Sequence, residues 1–318
     1  MTDIHASVTA RRDKPKGRLE RLRDSDLWWS FSRSRSAVGA AIALSLVILT
    51  ALFAPLLSPQ NPYDLAALEL WNAELPPVWM EGGQMPYVLG TDVQGRDILS
   101  GILYGTRVSV FIGIASVLVS LGVGVLAGLS AGFFGGWVDN VLMRVGDVLL
   151  SIPIILVAIL VSSVAQALLP PHLREAGISV VLVLAIAMYS WVQYARVVRA
   201  QTMVERRKEY VQASRLVGTP ARRLMLKHIL PNTLTPVFVT ATLNFGLAIL
   251  IEATLSFLGV GMPPNQPSLG TLIRVGNQYL FSGSWWIVLF PSIQLCILVV
   301  AVNMLGDWLR DALNPKLR

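Results

Sequence analysis

Val108-Ser-Val-Phe-Ile-Gly-Ile-Ala-Ser-Val-Leu-Val-Ser-Leu-Gly-Val-Gly-Val-Leu-Ala-Gly-Leu-Ser-Ala-Gly-Phe-Phe-Gly-Gly-Trp137 runs for 30 residues without a charge. A hydrocarbon core of ~30 Å takes about 20 helical residues at 1.5 Å each, so this run crosses a bilayer and must tilt or project beyond it. Five further runs have the same character. They are Ala37–Leu57, Val148–Pro171 with a polar lead-in from Val138, Ile178–Ala195, Thr233–Val260 interrupted by Glu252, and Trp286–Gly306. Charged residues make up 14% of the 318-residue chain and apolar ones 54%, which excludes disorder and an ordinary soluble globule. The expectation is an all-α polytopic membrane protein. Its six spans fall at about residues 37–57, 108–137, 138–169, 178–198, 233–260 and 286–306.

Orientation follows from the basic residues. Nine precede the first run, nine lie between Arg196 and Lys227, three follow Asp307, and Arg144 adds one, so 22 of the 26 Lys and Arg fall on one side. The positive side is cytoplasmic. Both the N-terminal segment 1–36 and the tail 307–318 are then cytoplasmic, as is a loop at 199–232. Loops 58–106 and 261–285 face the other side. Arg18 to Phe31, carrying Leu19, Leu22, Trp28 and Trp29, is expected to lie along the membrane surface in contact with lipid. The first run starts too late and is too long for a cleaved signal peptide.

Several chemistries have no carrier. None of the five lysines is followed by Ser or Thr, so no Walker-type phosphate cradle exists. His5, His172 and His228 are far apart and no HExxH or GxSxG occurs, so neither a zinc site nor a nucleophile elbow is expected. Cys296 lies in an apolar run and is expected to be a buried, inert thiol. The basic residues flank membrane runs, which removes nucleic acid as a partner.

The basic loop carries the most information: Glu209-Tyr-Val-Gln-Ala-Ser-Arg-Leu-Val-Gly218-Thr-Pro-Ala-Arg-Arg-Leu-Met-Leu-Lys-His228-Ile-Leu-Pro231-Asn232. It is expected to form two short helices. Gly218 ends the first, Thr219 caps the second with Pro220 at its first position, and Pro231 breaks the chain before the fifth span. Ala213 and Ser214 are small and let another surface approach closely. The alternative is a solvated basic loop that sets topology only.

This loop resembles the EAA loop of ATP-binding-cassette importer permeases. Gln212, Ala213 and Ser214 stand at the E-A-A places, Gly218 at the glycine, His228 at the isoleucine place, and Leu230-Pro231 at the end. Gln212, Ser214 and His228 depart from the general pattern. Glu209, Tyr210, Val211, Arg215 and the run His228 to Asn232 match the peptide branch. Three more segments are similar to the C-type permease subunit of dipeptide and oligopeptide importers. These are Gly90-Thr-Asp-Val-Gln-Gly-Arg-Asp97, Glu252 through Gly270, and Gly306-Asp-Trp-Leu-Arg-Asp-Ala-Leu-Asn-Pro315. Gly101, Leu269, Trp308 and Asn314 depart from their motifs.

The resemblance implies a type I importer permease fold that moves peptides across the bacterial inner membrane and is not itself an enzyme. It implies as partners a second homologous permease subunit, two cytoplasmic ATPases that bind the ATP, and an extracytoplasmic substrate-binding protein. Glu209, Gln212, Ala213, Ser214, Gly218, Leu230 and Pro231 would form the ATPase-coupling loop. Nickel, glutathione or opines remain alternative cargoes, and an ion-coupled secondary transporter is a rival reading. Glu252 and Asp147 are its only candidate coupling carboxylates; Glu252 is equally open to a packing or pathway role, and Asp147 is read first as half of a structural pair and second as a gate. Arg144 and Asp147, three residues apart, can pair. Gly124, Gly128, Gly132 and Gly136 place glycine on one helix face, suited to close packing within or between subunits. Asp92, Arg96 and Asp97 are expected to brace a polar outer loop, and Pro263, Pro264 and Pro267 to make the 261–285 loop rigid and non-helical.

Overall fold

The computed structural model describes residues 26–64, 68–168 and 170–313. The expected interfacial stretch up to Ser25 and the end of the tail from Asn314 lie outside the described residues. The remainder of that stretch is helix α1, Asp26–Arg33. Phe31 of α1 meets Trp308 edge-on with ring centroids 5.0 Å apart, and the Arg33 guanidinium lies 4.2 Å over the Trp29 ring.

Among the described residues, nine helices build the bundle and its loops. They are α2 Arg35–Leu52, α4 Ile98–Phe134, α5 Gly136–Ser151, α6 Ile154–Leu168, α7 Pro171–Glu205, α8 Glu209–Leu216, α10 Leu230–Phe257, α11 Leu269–Tyr279 and α12 Trp286–Ala312. The short α3, Ala54–Leu57, follows a kink at Phe53, and α9, Ala221–Arg223, precedes a π turn at Leu224–Ile229. Among the described residues, five helical stretches are long and apolar enough to cross a bilayer. The pair α5–α6 makes a sixth span if counted as one.

That pair departs from the straight third span expected over 138–169. α5 and α6 are bent by 93°. Pro153 disfavours helical backbone in the residue before it, and Ile152 is extended at φ −98°, ψ 132°. The second span starts ten residues earlier than expected because the Asp97 carboxylate caps it, accepting from Ser100 N at 2.7 Å. The fourth extends to Pro171–Glu205, and the fifth ends at Phe257. The 261–285 loop is not wholly non-helical, since Ser268 caps α11 by accepting from Thr271 N at 3.3 Å. Cys296 is exposed on α12, where an apolar run meets lipid and not a core.

α4 is the axis. The glycine face packs inside this subunit, against α7. A Cβ on Gly124 would stand 2.5 Å from Tyr194 Cβ, one on Gly128 2.4 Å from the Ala195 carbonyl oxygen, and one on Gly132 2.6 Å from Thr202 Cβ. Gly136 lies beyond this face, in the turn after α4, with nothing within 4 Å. Gly122 likewise faces open space.

Gly128→Ala therefore should force α4 and α7 apart, costing about 1–3 kcal/mol as overpacking does. Gly122→Ala should leave stability unchanged or slightly higher. Thermal unfolding of both variants in detergent, followed by size-exclusion chromatography, checks the contrast.

Candidate functional site

The basic loop folds as a small platform at one end of the bundle. The N-terminus of α8 is set by Glu209, an acid in the first turn, and Arg215 occupies its last turn, both favourable to the helix dipole. The helix stops in a Schellman motif: Thr219 N donates to the Ser214 carbonyl at 3.2 Å and Gly218 N to the Arg215 carbonyl at 3.0 Å. Gly218 takes φ +83° there, a left-handed conformation open to glycine at no steric cost. Thr219 does not cap the next helix; Pro220 holds that position without a side-chain bond.

Pro231 does not break the chain. Helix continues from Ala221 to Phe257. The π turn absorbs the missing proline N–H, with Leu230 N donating to the Met225 carbonyl five residues back.

The platform is anchored at its rear. Val211, Leu224 and Ile229 are buried with Leu129 of α4, Tyr194 and Val198 of α7 and Val237 of α10. A polar latch reinforces this packing. Tyr210 Oη donates to Glu205 Oε2 at 2.7 Å, and Lys208 Nζ to Glu205 Oε1 at 2.6 Å. Asn232 Nδ2 donates to Tyr210 Oη at 2.9 Å and to the His228 carbonyl at 2.8 Å. Partial burial, then the neighbouring Glu205 carboxylate, hold the Tyr210 phenol above its ordinary pKa, so it stays a donor. Arg206 Nη1 donates to the Gly132 and Phe133 carbonyls at 3.0 and 2.8 Å, tying α7 to the last turn of α4.

The front of the platform is open. Glu209, Gln212, Ala213, Gly218 and Pro231 are exposed, while Ser214 and Leu230 are half-buried. Leu216 and Val217 are 89% and 86% exposed, two apolar side chains at the tip with nothing of this chain upon them. Gln212 Nε2 donates to the Arg206 carbonyl at 3.1 Å. Sequence reasoning placed the loop residues but passed over Glu205, Arg206 and Asn232 as anchors. Tyr210 and Asn232 stood in the matched pattern, so their presence was visible, but their partners are 4 to 22 residues away.

Glu252, Asp147 and Asp139 all find partners within this chain. Glu252 is fully buried, accepting from Ser109 Oγ and Ser256 Oγ, each at 2.7 Å. Ser109 Oγ also lies 3.3 Å from Leu269 N, so Glu252 fastens α4 to α10 and to the start of α11. Asp147 pairs with Arg196 of α7 at 2.8 Å and not with Arg144. Asp139 takes both guanidinium arms of Arg199, with Nη2 to Oδ2 at 2.6 Å. At the opposite end, Asp92, Arg96 and Asp97 are buried. Arg96 Nη1 donates to the Pro264 carbonyl at 2.6 Å, and Asp92 Oδ1 accepts from Gln94 N and Arg96 N. These residues brace loop against loop.

Residues 124–318 match the family described as binding-protein-dependent transport system inner membrane component, and residues 25–77 match the N-terminal TM domain of oligopeptide transport permease C. The di/tripeptide transport system permease protein DppC of Pseudomonas aeruginosa is 40% identical over 92% of this chain and 92% of its own length. The dipeptide transport system permease protein DppC of Escherichia coli K12 is 42% identical over 92% of this chain and 93% of its own. Among solved structures, an inward-facing form of the MetNI methionine ABC transporter superposes with a TM-score of 0.50 at 20% identity, covering 68% of this chain and 96% of that one. That likeness places the helices in the importer permease fold. The chain belongs to the family of inner-membrane components of binding-protein-dependent transport systems.

Proposed function

We propose that this chain is one permease subunit of an ATP-driven importer for di- or oligopeptides, with both termini in the cytoplasm. A second related permease subunit, two cytoplasmic ATPases and an extracytoplasmic binding protein complete the assembly. The observation that carries the reading is the division of the 209–232 platform. Its rear is fixed to the core by Val211, Leu224 and Ile229, while its front leaves Ala213, Leu216 and Val217 free for a partner. Force passes between two proteins only through such a stiff, close contact. ATP binding would draw the ATPases together, push the platform, and rock α4, α7 and α10 so that the pathway changes the side to which it opens. This subunit makes and breaks no covalent bond; ATP stays on the ATPase subunits. Peptide cargo comes from the two relatives named above. Glu252, fully buried and held by two serine hydroxyls, reads as a fastening between helices and not as an ion-coupling site.

Gly218→Val should misplace the platform, since a side chain in the left-handed region costs on the order of 1–2 kcal/mol. The cost arises in the backbone, because nothing lies within 4 Å of this glycine. Ala213→Trp should wedge the partner away. Both variants should insert normally yet lose binding-protein-stimulated ATP hydrolysis and uptake in the reconstituted complex. Wild-type coupling in both would reduce the loop to a topology signal.

Tyr210→Phe removes one hydroxyl that serves Glu205, Asn232 and the His228 carbonyl. Glu205 keeps Lys208, and Asn232 and the His228 carbonyl keep each other, so the loss is that of a net hydrogen bond, about 0.5–1.5 kcal/mol. Hydrogen exchange over 206–232 should quicken with no change elsewhere in the bundle, and coupling should weaken without vanishing.

Orientation is tested by fusion. A reporter active only outside the cytoplasm should work when inserted within Gln60–Gly90 and fail after Arg318. The reverse pattern would invert the topology.

A further inference from the structure

We infer that the platform end carries a binding site for the headgroup of an anionic phospholipid, in the cavity between the end of α4, the end of α7 and α8. The cavity measures about 360 Å³, and Phe134, Arg206, Arg207, Gln212 and Arg215 are among the residues that line it. Three guanidinium groups in one cavity repel one another unless anions neutralise them. Arg206 spends its Nη1 on the carbonyls of Gly132 and Phe133, which cancels the negative end of the α4 dipole. Arg207 and Arg215 are exposed, and among the described residues neither has a carboxylate partner. Of the acids nearby, Glu205 is engaged by Lys208 and Tyr210, Asp139 by Arg199, and Asp147 by Arg196, while Glu209, exposed at the start of α8, is not among the residues that line the cavity. Two unneutralised forks beside a polar amide suit a group with several acceptor oxygens, and a phosphate diester is such a group.

The position of the cavity selects a lipid. Phe134, on its rim, is 58% exposed, and Trp137, three residues on, is 77% exposed. Aromatic side chains at the end of a long apolar helix mark the headgroup level of the bilayer. Farther along α4, Val123 and Leu126 are 48% and 64% exposed, a strip on which acyl chains can lie while the phosphate sits between Arg207 and Arg215. Basic cavities between spans at the positive side are built for such headgroups. The occupant would also touch Gln212 and Arg215 of α8, so occupancy would stiffen the platform. The binding claim rests on the cavity alone; only this last consequence rests on the proposed function.

The test is native mass spectrometry of the full-length chain, purified in detergent with its co-eluting subunits and stripped of endogenous lipid. It is titrated with phosphatidylglycerol, with phosphatidylcholine of the same acyl chains, and with inorganic phosphate. The first phosphatidylglycerol should bind about tenfold or more tightly than phosphatidylcholine, from two basic contacts. Arg207→Gln/Arg215→Gln should remove that preference, and Arg222→Gln/Arg223→Gln, outside the cavity, should keep it. Should the first double variant fail to fold, Gln212→Glu puts a carboxylate into the cavity and should cut the preference likewise. Equal binding of the two lipids by the unaltered protein overturns the proposal. So does an equal loss in both double variants, which would mean diffuse surface charge. Saturable phosphate binding without lipid preference would make the cavity a free-anion site. Retained lipid preference with loss of a co-eluting ATPase would make it a seat for a partner's carboxylate; either result overturns the lipid assignment.

Discussion

The contact on which the rest depends is the approach of α4 to α7 along Gly124, Gly128 and Gly132. In lipid, apolar surface gains little by leaving one hydrocarbon environment for another, so helices associate through close van der Waals packing. Glycine lets the two backbones come nearer than any side chain would permit, to where a Cβ would stand 2.4 Å from a carbonyl oxygen. This stripe ends where the platform begins. Gly132 and Phe133 lend their carbonyls to Arg206, and Leu129, one turn before, shares a cluster with Val211 and Leu224. The α4–α7 pair and the 209–232 platform are therefore one mechanical piece, and a displacement of α8 reaches the span directly.

Three carboxylates of the bundle are matched by hydroxyls or guanidinium groups of the same chain. Glu252 is held by two serine hydroxyls, Asp139 by both arms of Arg199, and Asp147 by Arg196. An intramembrane ionisable group is expensive and therefore often functional. Here each carboxylate has at least one partner from a neighbouring helix, and so ties two elements together. Glu252 joins α4, α10 and the outer helix α11; Asp139 and Asp147 join α5 to α7. The carboxylates set the angles between elements in a medium where apolar packing alone would let them slide.

Much of this was legible in the chain. Hydropathy located the apolar runs, and the spacing of four residues between glycines announced a close-packed face. Gly218 was identifiable as a helix end because the residues before it are helical in pattern and those after it are Thr-Pro. The interior pairings were not legible. Asp147 lies three residues from Arg144, and helix geometry makes that pair the natural expectation; its partner Arg196 is 49 residues away and reaches it through tertiary packing. The same holds for Ser109 and Glu252, 143 residues apart. Cys296 misled for a different reason. An apolar neighbourhood in sequence means burial in a soluble protein, but in a membrane protein it equally means a lipid-facing surface.

The prolines show why local rules alone could not draw the spans. Pro153 and Pro231 each lack an N–H and each bias the preceding residue away from helix. Ile152 obeys the bias and is extended, and the Pro153 carbonyl then starts α6 by accepting from Leu156 N at 2.9 Å. Leu230 defies it, staying helical at φ −53°, ψ −46°. The difference lies in what holds each side. Around Pro231 the backbone is supported from both directions. Leu224 and Ile229 are locked into the core before it, and Asn232 and Tyr210 take up the His228 carbonyl beside it. A π turn then costs less than a break, as it does where neighbouring side chains re-satisfy a freed carbonyl in a membrane helix. Ile152 has no such support; it is 42% exposed, and the helices on its two sides separate at 93°. Continuity at Pro231 is what makes α10 a rigid extension of the platform. In the proposed coupling, the latch that preserves it would be part of the route by which a push on α8 reaches the fifth span.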